Sequence, residues 1–300
     1  MDELRERDPA AVEPEPITPE EEERPTALVI AQFFLIPLAI ILACAGLFVL
    51  FGLLTGDEKD AADYLAEVQS GSADRRYQAA FELSKVLARD PTLAREPGFV
   101  PELTRVFQER RGQEPALRRY LALALGRVAD PRSVDALIAG LADDDSQTRI
   151  YVIWALGAVG DARASPHLAD LLRDPDPGVR KMAAYALGNL GDPAVAAPLR
   201  QALEDPAADV QWNAALSLGR LRDRAALPAL HRMLDRGYLD RIEGVTPEQK
   251  EEAVVNAIQA LRILADPESI GLIEALATGD PSIPVRAAAH AALAELRGER

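Results

Sequence analysis

VRKMAAYALGNLGDPAVAAPLRQALEDP, residues 179–206, echoes a stretch thirty-one residues earlier, TRIYVIWALGAVGDARASPHLADLLRDP, residues 148–175. Each holds an Ala-Leu-Gly triplet. Taking the triplet's glycine as an anchor gives Gly126, Gly157, Gly188 and Gly219, spaced by 31 residues each time. Self-similarity at such a period is the signature of a repeat architecture. Ser84, Arg262 and Ala294 occupy the same slot at intervals of 42, 43 and 32. The two long intervals place insertions of about a dozen residues, one around Arg95 to Glu114 and one around Asp235 to Val245.

The register within a repeat shows what it is made of. Asp130, Asp161, Asp192, Asp223 and Asp266 stand four residues past their anchors, and Pro131, Pro193 and Pro267 follow three of them. Aspartate then proline reads as an N-cap followed by the first helical residue. The pattern therefore predicts a first helix ending near the anchor, a tight turn, and a second helix starting at the capping aspartate. Leucines such as Leu137 and Leu141, or Leu227, Leu230 and Leu234, mark the buried stripe of the second helix. After the second insertion, Thr246-Pro247-Glu248-Gln249 restarts the helix as a capping box. Neither helix covers its apolar face alone, and stacked copies do it together. The expected fold is an all-α α-α solenoid over residues 55–300, with about seven repeats of which the last is partial.

Composition agrees. Apolar residues make up 48% and aromatics only 5%, which suits close-packed helices and disfavours a β-rich fold. The formal charge of −15 repels phosphate, so nucleic acid is excluded as a partner. The single cysteine, Cys44, excludes an internal disulfide and any zinc site built on two thiolates.

The first 54 residues read differently. Residues 1–26 carry ten carboxylates, three arginines and five prolines, a composition expected of a disordered acidic tail. Residues 27–54, ALVIAQFFLIPLAIILACAGLFVLFGLL, hold no charge. As a helix they would run roughly 42 Å against a hydrocarbon thickness of about 30 Å, so a transmembrane helix is expected, anchoring the chain in a lipid bilayer. The expected address is a single-pass protein of a bacterial inner membrane. Arg7 and Arg24 on one side and Lys59 on the other leave its topology open.

The two quoted strings resemble HEAT repeats, of the short type also found in phycobilisome lyases, and the resemblance covers about four fifths of the chain. It implies an armadillo-like superhelix that binds proteins. Arg76, Arg118, Arg149, Arg180 and Arg286 stand eight residues before their anchors, with Gln211 and Val254 breaking the series. In repeats resembling this family such an arginine pairs between neighbouring turns as scaffold. Two enzyme classes are similar in architecture. Deoxyhypusine hydroxylase holds iron on His-Glu dipeptides, and none of His167, His231 and His290 precedes a glutamate here. Phycobilin lyases offer a groove for a tetrapyrrole and a partner, but no nucleophile dyad, serine elbow or phosphate loop occurs in this chain. Neither a cofactor nor a metal is expected.

Partner binding has a better candidate. The exposed positions expected on the second helices (Asp135, His167, Asp170, Arg200, Gln201, His231, Arg232, Glu274) are mixed in sign. On the first helices, the position three before the anchor should point away from the core, yet it reads Phe81, Leu123, Trp154, Tyr185 and Leu216. Tyr120, Tyr151 and Met182 lie one turn earlier, and Trp212 lies beside them. These residues are expected to form an outer apolar stripe that docks a protein partner, another copy or the membrane interface. The expectation is a noncatalytic scaffold or adaptor at a membrane, with a lyase-like enzyme or chromophore-protein chaperone as the alternative and self-association as a further possibility.

Overall fold

The computed structural model describes residues 34–55, 59–110 and 112–298, without the side chains of 51–55. The acidic tail, and residues 27–33 of the apolar run, lie outside the described residues. The chain divides into two compact units, Met1–Glu58 and Lys59–Arg300.

In the first unit, helix α1 spans Ile36–Thr55. Over residues 36–50 it carries uncharged, mostly aliphatic side chains on every side. With side chains described only as far as Leu50, no helix among the described residues is long and apolar enough to cross a membrane. The transmembrane helix expected over residues 27–54 is thus not supported by them.

The second unit is helical throughout, with no strand among its described residues. It opens with α2 (Ala61–Ser70), capped by a box between Asp60 and Asp63. Pairs follow: α3 (Ala73–Arg89) with α4 (Phe99–Glu109), α5 (Pro115–Val128) with α6 (Val134–Gly140), and α7 (Ser146–Val159) with α8 (Ser165–Asp170). Next come α9 (Pro177–Leu190) with α10 (Ala196–Ala202), and α11 (Ala208–Arg220) with α12 (Leu227–Leu234). A short α13 (Arg236–Asp240) lies in the second insertion, followed by α14 (Pro247–Leu264) with α15 (Ser269–Gly279), and α16 (Ile283–Leu296). The first helices α3, α5, α7, α9, α11, α14 and α16 pack each on the next in one continuous row.

Two details differ from the sequence pattern. Asp130, Asp161, Asp192 and Asp223 do cap, each accepting the N–H two residues on, but what they cap is a 3-10 turn. The α-helix proper begins four residues past the aspartate, because a side chain bonded to its second neighbour tightens the first turn to three residues. The first insertion is also placed differently from the expectation. Phe99, Val100, Leu103, Val106 and Phe107 are all buried, so most of residues 95–114 is the second helix itself, displaced by a 3-10 turn at Pro91–Ala94. The capping box at Thr246 forms as expected, with Thr246 and Gln249 serving each other's backbone N–H.

The anchor glycines sit inside the last turn of each first helix, where the next first helix crosses. A Cβ at Gly157 would lie 2.9 Å from Ala186 Cβ, and one at Gly219 would lie 2.9 Å from Ala260 Cβ. At Gly188 it would meet Ser217 Oγ at 2.2 Å and Ser217 Cα at 2.9 Å. Each glycine thus faces the small residue two before the next anchor, and together they set the spacing of the row. The contact at Gly219 shows that the second insertion loops out without interrupting it.

A ladder of ion pairs fastens the other end of the first helices. Arg149 and Arg180 each donate through Nη1 to the carbonyl of the aspartate six residues earlier, Asp143 and Asp174, at 2.9 Å. Each also reaches the corresponding aspartate of the next turn, Asp174 at 3.2 Å and Asp205 at 2.7 Å. Arg118 pairs likewise with Asp143 at 2.7 Å, both side chains buried, and Arg76 pairs with Glu114. The aspartates meanwhile accept the N–H two residues on, as in Asp174 from Asp176 and Asp205 from Ala207. Burial pushes the Asp205 carboxyl up, but the Arg180 and Ala207 hydrogen bonds outweigh it and hold it below the usual carboxylate range. The arginine rank is therefore scaffold, and each rung ties two consecutive turns. Where Gln211 breaks the series it keeps only the first contact, donating to Asp205 O at 2.6 Å.

Candidate functional site

The structure places the nine stripe residues in three different settings. Phe81 is exposed, and Tyr120 stacks edge-on against Phe81 and Tyr77 at 5.2 and 5.4 Å between ring centres. The hydrogen bond with Tyr77, helped by burial, pushes the Tyr120 hydroxyl up to about 12. Leu123 and Tyr151 are half-buried on neighbouring helices. The remaining five, Trp154, Met182, Tyr185, Trp212 and Leu216, share one groove of about 490 Å³. The stripe is thus not a continuous outer face. Lateral packing of the first helices covers part of it: the Trp154 ring edge closes over the space a Cβ would need at Gly126, and Trp212 is 6% exposed. A helix in a solenoid row has neighbours on both flanks, so only a narrow sector of its outer side stays open.

The far wall of the groove comes from the second insertion and the helix it introduces, with Gly244 and Val245 from the loop and Gln249, Glu252, Ala253 and Asn256 from α14. Met233 of α12 also lines it. The sequence pattern marked the insertion but attached no function to it. A signal was present: in the slot that holds Tyr120, Tyr151 and Met182, the next two repeats carry Asn213 and Asn256, polar groups in an otherwise apolar series.

Aromatic and polar groups alternate around the groove. Lys181 and Asp209 pair at 3.2 Å, each about 40% exposed, and Asn213 donates to the Asp209 carbonyl at 2.7 Å. Arg127 lies over the Trp154 ring at 4.9 Å and Arg220 over Tyr185 at 5.7 Å, so the chain's own guanidinium groups hold both rings in place. Three polar lining residues have nothing to bind among the described residues. The Trp212 indole N–H is buried without an acceptor, a cost of about 1–3 kcal/mol in the free protein. The Glu252 carboxylate and the Asn256 amide also make no hydrogen bond or ion pair there.

The second helices offer less. Arg163 crosses to Asp135 at 2.9 Å, Arg173 to Gln201 at 3.0 Å and Arg200 to Asp223 at 2.6 Å, so several of their polar side chains are paired along the row. His231 Nε2 lies 3.2 Å from Asp266 Oδ2 and 2.9 Å from Ser269 Oγ. These are the residue types of a nucleophilic triad without its geometry. One imidazole nitrogen faces both partners, Ser269 donates to Asp266 at 2.6 Å rather than to the histidine, and its hydroxyl is fully buried. Burial pushes the Asp266 carboxyl up, and the Ser269, His231 and Arg224 contacts outweigh it and hold it low. The cluster closes the turn that leads into α15, where Asp266 also accepts the Ser269 N–H at 3.1 Å. Among the described residues no group of three or more His, Cys, Asp or Glu could hold a metal ion.

Comparison with known proteins bears on the fold. The pattern of HEAT repeats matches residues 103–179 and 166–246. No curated protein matches the sequence. Among solved structures, a chain of the complex of CpcE and CpcF of phycocyanin lyase from Nostoc sp. PCC7120 is 22% identical, with a TM-score of 0.56 over 79% of this chain and 88% of that one. An engineered protein is 19% identical with a TM-score of 0.50, over 79% of this chain and 68% of that one. Human deoxyhypusine hydroxylase is 20% identical over 83% and 99% of the two chains, and its TM-score of 0.33 carries no argument. At these identities the likeness establishes the fold alone. The chain carries HEAT repeats over residues 103–246 and is an all-helical HEAT/armadillo-like solenoid structurally similar to a chain of the phycocyanin lyase complex.

Proposed function

We propose that the protein is a noncatalytic scaffold or adaptor, held at a membrane by its apolar run, which recruits a protein partner into the groove beside the second insertion. HEAT and armadillo-like repeats typically mediate protein–protein interactions, and that general role supports the reading. The observation that carries it is the convergence of Trp154, Tyr185 and Trp212 with the unengaged Asn256 and Glu252 in one groove. Rigid aromatic anchors surrounded by polar groups are what the centre of a protein interface requires. The membrane component rests on the uncharged run at residues 27–54. Anchoring would raise the local concentration of the recruited partner at the bilayer.

The test is paired. A photo-crosslinker placed at Gln249, on the groove wall, should give one dominant protein adduct that a crosslinker at exposed Ala162 does not. Trp154→Ser with Tyr185→Ser should remove that adduct and leave the far-ultraviolet helical signal unchanged. An adduct that survives both substitutions rejects the groove as the docking site.

A second reading, a lyase-like enzyme or chaperone of a chromophore protein, is motivated by the likeness to a chain of the CpcE and CpcF complex. It predicts a visible absorbance band in protein purified from its natural host. A colourless protein that takes up no tetrapyrrole removes it.

A further inference from the structure

We infer that the groove selects a basic, partly apolar segment of its partner, with lysine or arginine side chains alternating with aliphatic ones. This rests on the docking reading above and names the chemistry of the occupant. Charge is the first argument. Residues 243–252, which form or adjoin the far wall, hold Glu243, Glu248, Glu251 and Glu252 against one base, Lys250. Lys250 donates to the Asp240 carbonyl at 3.5 Å. On the opposite wall Lys181 is already neutralised by Asp209. Glu252 is therefore left as an exposed carboxylate on the lining with no cation of its own. An incoming ammonium or guanidinium supplies it, and a carboxylate would be repelled.

The other lining groups fit the rest of such a segment. Trp154, Tyr185 and Met182 provide apolar surface for aliphatic side chains and for the methylene stems of lysine or arginine. The Asn256 amide can both donate to and accept from one peptide unit of an extended backbone. The Trp212 N–H is a donor awaiting a carbonyl, and only occupancy or a shift of the ring supplies one. A segment that is apolar alone leaves Glu252 desolvated beside it, and a strongly acidic one meets the four glutamates.

The two tryptophans of the chain both line this groove, so tryptophan emission of the full chain reports its occupancy with no label. Three synthetic peptides are titrated, alternating valine with lysine, with glutamine or with glutamate. The lysine peptide should shift the emission saturably, the glutamine peptide should bind about tenfold more weakly, and the glutamate peptide should not bind. Glu252→Lys, a change at an exposed site, should weaken the lysine peptide by about tenfold and leave the glutamine peptide unaffected. Equal binding of all three peptides, or an unchanged lysine affinity in Glu252→Lys, overturns the charge selection while the docking reading stands. Silence towards every peptide also overturns the proposal, and docking is then judged by the crosslinking experiment alone.

Discussion

Two stretches of the solenoid use the same unit to different ends. From α5 to α11 the repeats follow without interruption, and α5, α7 and α9 are each clamped twice, by an anchor glycine and by a ladder rung. From α11 to α16 the glycine contact survives at Gly219 but the rungs do not, because Gln211 and Val254 stand where ladder arginines should be. The insertion repairs the second of these. Arg236 of α13 reaches across to Asp280, the aspartate the missing arginine would have served, with two hydrogen bonds of 2.8 Å. Asp280 in turn accepts the Ser282 N–H at 2.9 Å, as its counterparts accept theirs. One clamp is thus supplied from outside the repeat, and the segment that supplies it also walls the groove. The comparison teaches that regularity makes the rod and that its one repaired defect makes the candidate site.

Acid should produce the largest effect, because it acts on the Arg180–Asp205 and Arg236–Asp280 pairs together. Asp205 and Asp280 are pushed up by burial, but their hydrogen bonds with Arg180 and Arg236 and with backbone N–H groups outweigh this and hold both below the usual carboxylate range. A carboxyl lowered in the folded state contributes stability that is full above its unfolded value of about 4 and is lost as pH falls through the folded value. The thermal midpoint should therefore stay flat from neutral pH to about 5 and fall steeply below about 4. A midpoint that rises on acidification contradicts the ladder's role.

Single rungs come next and separate the two stretches. Arg180→Ala leaves Asp205 buried and unpaired and should cost about 3–5 kcal/mol in denaturant unfolding. Arg236→Ala should cost less, about 2 kcal/mol, since the Arg236 side chain is 30% exposed. It should also broaden the response of the groove tryptophans, because the insertion loses its tether. Equal losses in the two variants would show that the repair is as strong as the original.

Packing changes are smaller. Gly188→Ala drives a methyl against Ser217 and its backbone and should cost about 1–3 kcal/mol, whereas Gly271→Ala, with nothing within 4 Å, should gain about 0.5–1 kcal/mol. The smallest effects belong to the residues that end the first helices in left-handed backbone. Gly160 and Gly191 do so with φ of 75° and 66°, and Ala129 and Ala265 do so without glycine, with φ of 55° and 48°. Gly191→Ala should lose about 1 kcal/mol. Ala265→Gly should gain only a few tenths, because glycine also loosens the unfolded chain. Opposite signs for these last two would mean that the helix ends are set by something other than backbone strain.

Much of this was legible before any coordinates. The anchor slot, the capping aspartates and the arginine rank read directly as repeated helical hairpins, because each records a contact between neighbours at a fixed sequence distance. The 3-10 turns were not legible, since an aspartate capping its second neighbour and one capping its third look alike in sequence. The stripe was half legible. Helical periodicity picked out Trp154, Met182, Tyr185, Trp212 and Leu216, but it treats a helix as a free cylinder and cannot see which flank the next copy covers. That is why Trp212, read as part of an outer face, is buried.

The sequence by itself determined the repeating hairpin, its two insertions and the acidic charge, because local spacing and composition carry that information. Only the tertiary structure decided that Arg236 would stand in for Val254's missing arginine, 44 residues from Asp280. It alone set Gly244 and Glu252 opposite Trp154 in one groove. Such meetings depend on how far an inserted loop folds back across the row, which is fixed by the packing of whole helices and leaves no period in the chain.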